Sequence, residues 1–171
     1  MPIQIASAAL SALPDLDRSF SVTEELQLHF TDGQLGYRIV PVEPYEKTYP
    51  DDGEESLDES EVFLATLDGQ PAGVIQLSMA WNGYARIDDI AVDRRLRRSG
   101  VAKALLEHAC DWCRERALAG LMLETQTNNV AACRLYERFG FRLGGFDRDL
   151  YRGLDPATSE VALFWYLPLS R

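Results

Sequence analysis

One stretch of small and basic residues constrains this chain more than any other: Arg97-Arg98-Ser99-Gly100-Val101-Ala102-Lys103. Apolar strand residues ending at Val92 precede it, and good helix formers follow it to Leu106. Gly100 and Ala102 are small, so the backbone can approach a ligand closely. The unpaired N–H groups of a first helical turn, the helix dipole and the arginines all favour an anion. The stretch therefore predicts a strand–loop–helix unit that holds a pyrophosphate.

Two other phosphate-binding loops do not fit this stretch. No Gly-Lys-Ser/Thr follows, which excludes a P-loop, and two of the three glycines of the dinucleotide fingerprint are missing. A solvated basic face remains the alternative explanation for Arg97 and Arg98.

The composition narrows the class of protein and of partner. With 171 residues, 46% of them apolar, the chain is predicted to be one globular domain over 1–171. Residues 50–61 carry seven acids and no base, which predicts an exposed mobile loop. The net charge of −10 argues against nucleic acid, because phosphate contacts need clustered Lys and Arg. It suits a cationic ligand, although solubility alone would also explain it.

The three cysteines are expected to be buried free thiols rather than ligands. Cys110 and Cys113 have a metal-like spacing, but no second cysteine or histidine pair completes a site, so we expect no metal. Free thiols indicate a reducing cytoplasm. The segment Met1–Ala12 lacks a basic start, and no apolar run is long enough for a bilayer. We therefore expect a cytoplasmic protein without a membrane partner.

The first half of the chain has the period of strands, and the second half alternates between helices and strands. In the first half we predict a strand at 3–6, a helix over 8–20 interrupted at Pro14, a hairpin turning at Asp32-Gly33, a second hairpin turning at Asp68-Gly69, and a strand at 84–92. In the second half we predict a helix from 101 ended by Gly120, a strand at 121–126, a helix at 130–139 capped by Asn128 or Asn129 and closed by Gly140, and strands at 141–151 and 160–167. This order predicts an α/β fold, a mixed sheet with helices on its faces.

Two motifs resemble the Gcn5-related N-acetyltransferase (GNAT) superfamily. They are Arg97-x-x-Gly100-x-Ala102 and, about thirty residues later, Asn129-x-x-Ala132-x-x-Leu135-Tyr136-x-x-x-Gly140-Phe141. The resemblance implies a mixed, mostly antiparallel sheet of about six to seven strands. It further implies helices on both faces, a V-shaped splay at the acetyl-CoA site, and acetyl-CoA as co-substrate.

Further strings resemble the streptothricin acetyltransferases within that superfamily. They are Trp81-Asn82-x-Tyr84, Asp88-Asp89-Ile90-Ala91-Val92, Glu124-Thr-Gln126-x-Asn128-Asn129, Asp147-x-x-Leu150-Tyr151, Ala162-x-Phe164-Trp165-Tyr166-Leu167 and Pro44-Tyr45-x-Lys47-x-Tyr49. This resemblance implies acetylation of the β-lysine amine of streptothricin, and hence antibiotic resistance. The alternatives left open are another amine (a protein N-terminus, a lysine or a polyamine) and a non-catalytic acetyl-CoA sensor.

The resemblance also implies how the donor is held. The backbone of Ile90, Ala91 and Val92 would pair with the pantetheine arm, and Asn129 would bond the same arm. The other expected cofactor-binding residues are Arg97, Arg98, Ser99, Gly100, Val101, Ala102, Lys103 and Ala132, while Arg94 and Arg95 would at most steer the 3′-phosphate. Tyr136 would be the general acid for the thiolate, its alternative being a core aromatic residue.

The general base and the acceptor site are less constrained. Candidate bases are Asp88, Asp89 and Glu124; strand alternation would put the first two on opposite faces, and we favour Asp89. Glu124 interrupts an apolar run, where an unpaired carboxylate is costly. The expected acceptor-binding residues are Trp81, Tyr84, Asp88, Asp147 and Trp165, with the acid-rich loop 51–61, Glu43, Glu46, Asp149 and Tyr166 as further candidates. A homodimer is left open.

Overall fold

The computed structural model describes residues 2–49 and 59–170. Most of the predicted acidic loop, residues 50–58, lies outside the described residues. The chain divides into two compact units: unit 1 is Met1–Phe20, Thr48–Leu121 and Pro168–Arg171, and unit 2 is Ser21–Lys47 and Met122–Leu167. Nowhere in the described ranges is there a helix with the length and apolarity to cross a membrane.

The described residues form nine strands and two α-helices. In chain order they are β1 (Ile3–Ala8), β2 (Phe20–Thr31), β3 (Gln34–Lys47), β4 (Glu61–Leu67), β5 (Gln70–Met79), β6 (Ala85–Val92), α1 (Val101–Glu115), β7 (Gly120–Gln126), α2 (Val130–Phe139), β8 (Arg142–Asp147) and β9 (Ala162–Pro168). Short 3₁₀ helices cover Leu10–Ala12 and Arg94–Leu96. Seven strands belong to one mostly antiparallel sheet, which confirms the predicted α/β class.

Unit 1 is built on an antiparallel run of strands in the order β1-β4-β5-β6. Asp68 and Gly69 both have positive φ, +50° and +79°, as the predicted two-residue hairpin turn requires. Helix α1 packs on β5 and β6 with no space to spare at Gly73. A Cβ there would lie 2.8 Å from the Ala91 carbonyl oxygen and 3.0 Å from Val101 Cγ1. The glycine therefore lets the start of α1 lie close to the sheet.

The predicted helix over 8–20 is wrong. Only Leu10–Ala12 is helical, as a single 3₁₀ turn, and Leu13 is already extended at ψ 137°. Pro14 explains the ending, because proline disfavours the α conformation of the residue before it and supplies no N–H. Leu16 instead packs with Val62 and Val74 in a small cluster against which Leu10 and Leu13 lie. Apolar residues at every third position were compatible with this packing as well as with a helix.

Helix α1 ends earlier than predicted. It stops at Glu115, Ala117 adopts φ +53°, and Gly120 begins β7 rather than closing the helix. The buried face of α1 contains Leu105, Leu106 and Ala109. All three cysteines (Cys110, Cys113 and Cys133) are free and buried, as expected.

Unit 2 contains the β2–β3 hairpin, helix α2, and strands in the order β7-β9-β8. The hairpin turns at Asp32 and Gly33 as predicted. Asn129 Oδ1 accepts a hydrogen bond from the Ala132 N–H at 3.3 Å and so caps α2, which Gly140 closes at φ +121°. Strand β8 ends at Asp147, four residues before the predicted end.

Candidate active site

The loop after β6 leads directly into α1 and has two residues with positive φ. Arg98 has φ +63° and Gly100 has φ +87°. The nearest atom to a Cβ built on Gly100 is Ile3 Cδ1 at 3.8 Å, an ordinary van der Waals contact, so the positive φ rather than a lack of space favours glycine here. We call residues Asp93–Gly100 the donor loop.

The first turn of α1 presents unpaired donors next to this loop. Ala104 donates its N–H to the Gly100 carbonyl at 3.0 Å. Within residues 2–49 and 59–170, no group accepts a hydrogen bond from the amides of Val101, Ala102 or Lys103. Unpaired N–H groups at the positive end of a helix favour an anion, and the binding of a pyrophosphate at this turn stays a prediction.

The basic side chains of the motif differ in their surroundings. Arg97 donates from Nε to the Val92 carbonyl at 3.2 Å, and burial lowers the pKa of its guanidinium. Its side chain therefore stabilises the junction between β6 and the donor loop. Arg98 and Lys103 are exposed, the latter 3.7 Å from Glu107. The Ser99 hydroxyl donates to the Leu96 carbonyl inside the loop.

Strand β6 carries a β-bulge at its two neighbouring aspartates. Gln76 pairs with Asp89 and Leu77 pairs with Ile87, so Asp88 has no partner residue on β5. A bulge breaks the strict alternation of side chains. The expectation that the two carboxylates lie on opposite faces therefore has no basis here.

The two aspartates are also differently engaged. Arg18 Nη1 lies 2.9 Å from each carboxylate oxygen of Asp89. The Asp88 side chain is 10% exposed, and its Oδ1 accepts from Arg86 Nε at 2.6 Å. Its Oδ2 is buried and has no hydrogen-bond partner among the described residues. Asp88, rather than the favoured Asp89, thus has a carboxylate oxygen without a hydrogen-bond partner among the described residues.

The predicted general acid lies on α2 in unit 2. Tyr136 is buried, 6% exposed, and its ring contacts that of Phe141 edge-on at 5.6 Å between centroids. Asn129 uses Oδ1 to cap the helix, which accounts for its structural role. Ala132 donates that capping bond.

Glu124 on β7 is hydrogen-bonded to Tyr151, a residue in the turn after β8 that was not among the predicted site residues. Tyr151 donates its hydroxyl to Glu124 Oε2 at 2.7 Å and accepts from Gln126 Nε2 at 3.3 Å. Burial, followed by the bond to Glu124, raises the pKa of Tyr151 well above its ordinary value. The phenol therefore stays protonated and orients an exposed carboxylate. The string Leu150-Tyr151 was the only sequence signal for this residue.

The expected acceptor-binding residues have different surroundings. Trp81 is 97% exposed in the turn between β5 and β6, and Tyr84 is half-buried. Asp147 Oδ1 accepts from the amides of Asp149 and Leu150, so it stabilises the turn after β8. Trp165 is 1% exposed, and this burial in the core does not support an aromatic wall for the acceptor.

Two further residues of unit 1, Arg18 and Asp93, lie beside the predicted site and were not predicted from the sequence. Arg18 contacts Asp89, and nothing in the sequence near position 18 indicated a partner seventy-one residues away. Asp93 is buried at the start of the donor loop; an aspartate directly after a strand was a weak signal for a capping role.

Across the described ranges, no group of three or more metal-ligating side chains comes together.

Comparisons with known proteins agree with these features. The acetyltransferase (GNAT) family profile matches residues 22–141. A streptothricin acetyltransferase from Escherichia coli is 37% identical over 97% of this chain and 95% of its own length. Streptothricin acetyltransferase A from Bacillus subtilis is 43% identical over 72% of this chain and 73% of its own. A solved structure from Bacillus anthracis, assigned as a streptothricin acetyltransferase and bound to acetyl coenzyme A, is 38% identical, with a TM-score of 0.89 over 98% of this chain and 100% of its own.

Proposed function

The chain belongs to the acetyltransferase (GNAT) family and is an N-acetyltransferase that uses acetyl-CoA, and from this premise we propose that its acceptor is streptothricin. The acetylated group would be the β-lysine amine, and the product would lack antibiotic action. Similarity to a streptothricin acetyltransferase over 97% of this chain and 95% of that protein is the observation that carries this proposal.

The donor half of the proposal rests on the loop after β6. The amides of Val101, Ala102 and Lys103 bind the pyrophosphate, and Gly100 supplies the positive φ at which the chain turns into α1. The backbone of Ile90, Ala91 and Val92 pairs with the pantetheine arm. Acetyl-CoA supplies the activated acetyl thioester when bound.

The acceptor amine must lose a proton before it can attack. A lysine-like amine has a pKa of about 10.4, so keeping it neutral at pH 7 costs roughly 4–5 kcal/mol. We assign this proton to Asp88, because its Oδ2 is buried without a partner and would gain a strong hydrogen bond from an ammonium. Asp89 already binds Arg18 through both oxygens and is the weaker candidate.

Two tyrosines have separate roles in this proposal. Tyr136, a phenol that is neutral at pH 7, donates its proton to the departing thiolate. Tyr151 orients Glu124, whose exposed carboxylate attracts a second positive charge of the acceptor. The net charge of −10 attracts a polycationic antibiotic over longer distances.

The test is thiol release from acetyl-CoA, followed with a thiol-reactive dye in the presence of streptothricin. We expect one thiol per streptothricin consumed and an acetylated product by mass spectrometry. A matched reaction contains lysine, a polyamine or a peptide with a free N-terminus instead. Thiol release with one of these amines and none with streptothricin would overturn the acceptor assignment. No thiol release with streptothricin or with any of the other amines would favour a sensor that only binds acetyl-CoA.

A further inference from the structure

A buried carboxylate lies where the donor loop begins. Asp93 is 1% exposed, and four hydrogen bonds converge on it. Its Oδ1 accepts from the backbone N–H and from Nε of Arg95, both at 3.0 Å. Its Oδ2 accepts from Nη2 of Arg95 and from the N–H of Asp17, both at 3.2 Å. The side-chain bond from Arg95 is the main cause that lowers the pKa of Asp93 far below its ordinary value.

This anion cannot serve the pyrophosphate by direct contact. A negative charge close to a phosphate opposes binding, and the four donors around Asp93 already use its oxygens. Its contribution therefore has to come through the backbone that it holds.

The donor loop needs such support because its conformation is strained. A non-glycine residue in the left-handed region, here Arg98, costs roughly 1–2 kcal/mol and persists only when surrounding contacts hold it in place. Arg98 and Gly100 together turn the chain into α1, whose first three amides have no acceptor among the described residues. If the loop relaxed, those amides would no longer converge.

The contacts that hold the loop meet at Asp93 and at the segment around Asp17. The Leu96 N–H donates to the Asp93 carbonyl at 2.9 Å, and the Arg94 N–H donates to the Asp17 carbonyl at 2.8 Å. The Asp93 side chain accepts the Asp17 N–H in return. Two chain segments seventy-six residues apart are thus joined by two hydrogen bonds of opposite direction. The buried carboxylate of Asp93 accepts one of them.

We propose that Asp93 is a positioning residue for acetyl-CoA: it fixes the donor loop so that the amides of Val101–Lys103 point at the pyrophosphate. This inference rests on the proposed function of that loop. Asp93 touches no substrate, so its removal weakens the donor's binding rather than the acetyl transfer itself.

The experiment compares two donors, acetyl-CoA and S-acetylpantetheine, of which the second has no pyrophosphate. For Asp93→Asn we expect kcat/KM with acetyl-CoA to fall about 10- to 30-fold, mainly because KM rises. This magnitude is that expected when hydrogen bonds to a charged group are lost. With S-acetylpantetheine we expect a fall of less than about 3-fold, since the loop has nothing to bind. Asp111→Asn, an exposed carboxylate on α1 that pairs with Arg114, is the control and should change neither value.

Equal losses with both donors would overturn the inference, because they would mean that Asp93 supports the fold in general. If the unmodified protein used neither donor, the proposed function itself would fail, and this outcome is distinct. Should Asp93→Asn not fold, Arg95→Gln removes the same side-chain bonds from an 80% exposed residue. The fall in kcat/KM for Arg95→Gln should be smaller than that for Asp93→Asn, and it should be the same with 3′-dephospho-acetyl-CoA as with acetyl-CoA. A loss seen only with the 3′-phosphate present would assign Arg95 to that phosphate and refute its action through Asp93.

Discussion

Exchanging each aspartate of the β6 bulge for asparagine should separate catalysis from stability. The Asp88 side chain is 90% removed from solvent and leaves one carboxylate oxygen without a donor, an arrangement that costs roughly 1–3 kcal/mol. Asp88→Asn removes the buried charge and keeps an oxygen for Arg86. We therefore expect a free energy of unfolding equal to or up to about 1 kcal/mol above that of the unmodified protein.

The catalytic effect of the same change should be large. Loss of a general base lowers the rate about 10²- to 10⁴-fold, and the fall should appear in kcat/KM for the amine acceptor. Asp89→Asn is the matched control. It breaks a half-exposed ion pair with Arg18, so we expect about 1 kcal/mol less stability and less than about tenfold loss of activity.

Two measurements decide between the aspartates: urea unfolding followed by tryptophan fluorescence, and initial rates of thiol release at varied acceptor concentration. Asp88→Asn should be the more stable and the less active of the two variants, and Asp89→Asn should be the less stable and the more active. If Asp89→Asn abolished turnover while Asp88→Asn retained it, the unpartnered oxygen would not be the proton acceptor, and the preference for Asp89 from the sequence would be restored.

Three further outcomes follow from single residues. Tyr136→Phe should lower kcat by about 10²-fold or more while the Kd for coenzyme A, measured by calorimetry, stays within about twofold; an unchanged rate would rule it out as the acid. Gly100→Ala should raise KM for acetyl-CoA about five- to tenfold, since φ +87° is strained for alanine although its Cβ would only make an ordinary contact with Ile3 Cδ1 at 3.8 Å; an unchanged KM would show that the loop relaxes. Burial raises the pKa of the Cys133 thiol to about 12, so iodoacetamide should not modify it in the folded protein at pH 8. Because folding favours the neutral thiol, the contribution of Cys133 to the free energy of unfolding is complete below about pH 9 and declines as the pH rises towards 12. Cys133→Ala should abolish this decline when unfolding is measured at a series of pH values.

Local turn and capping chemistry explains why much of the fold could be predicted. Asp32-Gly33 and Asp68-Gly69 require positive φ at both positions, which only a few residue types tolerate, so both hairpins were predicted at the right place. Asn129 and Gly140 likewise defined both ends of α2. The prediction over 8–20 failed because leucines three residues apart fit a helix and an extended, packed segment equally well.

The carboxylates of the site were harder to assign for a different reason. Whether a residue occupies a bulge depends on the partner strand, and the bulge at Asp88 is visible only when β5 and β6 are aligned. Arg18 and Asp89 are similarly distant in sequence, and the burial of Trp165 follows from packing that its aromatic character could not reveal.

By itself the sequence determined the type of donor site, because a phosphate cradle consists of consecutive backbone amides and needs only a local pattern, Arg97 to Lys103, ahead of a helix. The tertiary structure alone decided which carboxylate keeps an oxygen without a hydrogen-bond partner. That choice depends on which cations and amides other parts of the chain bring to each group: Arg18 engages Asp89, four donors surround Asp93, and Oδ2 of Asp88 has no partner among the described residues.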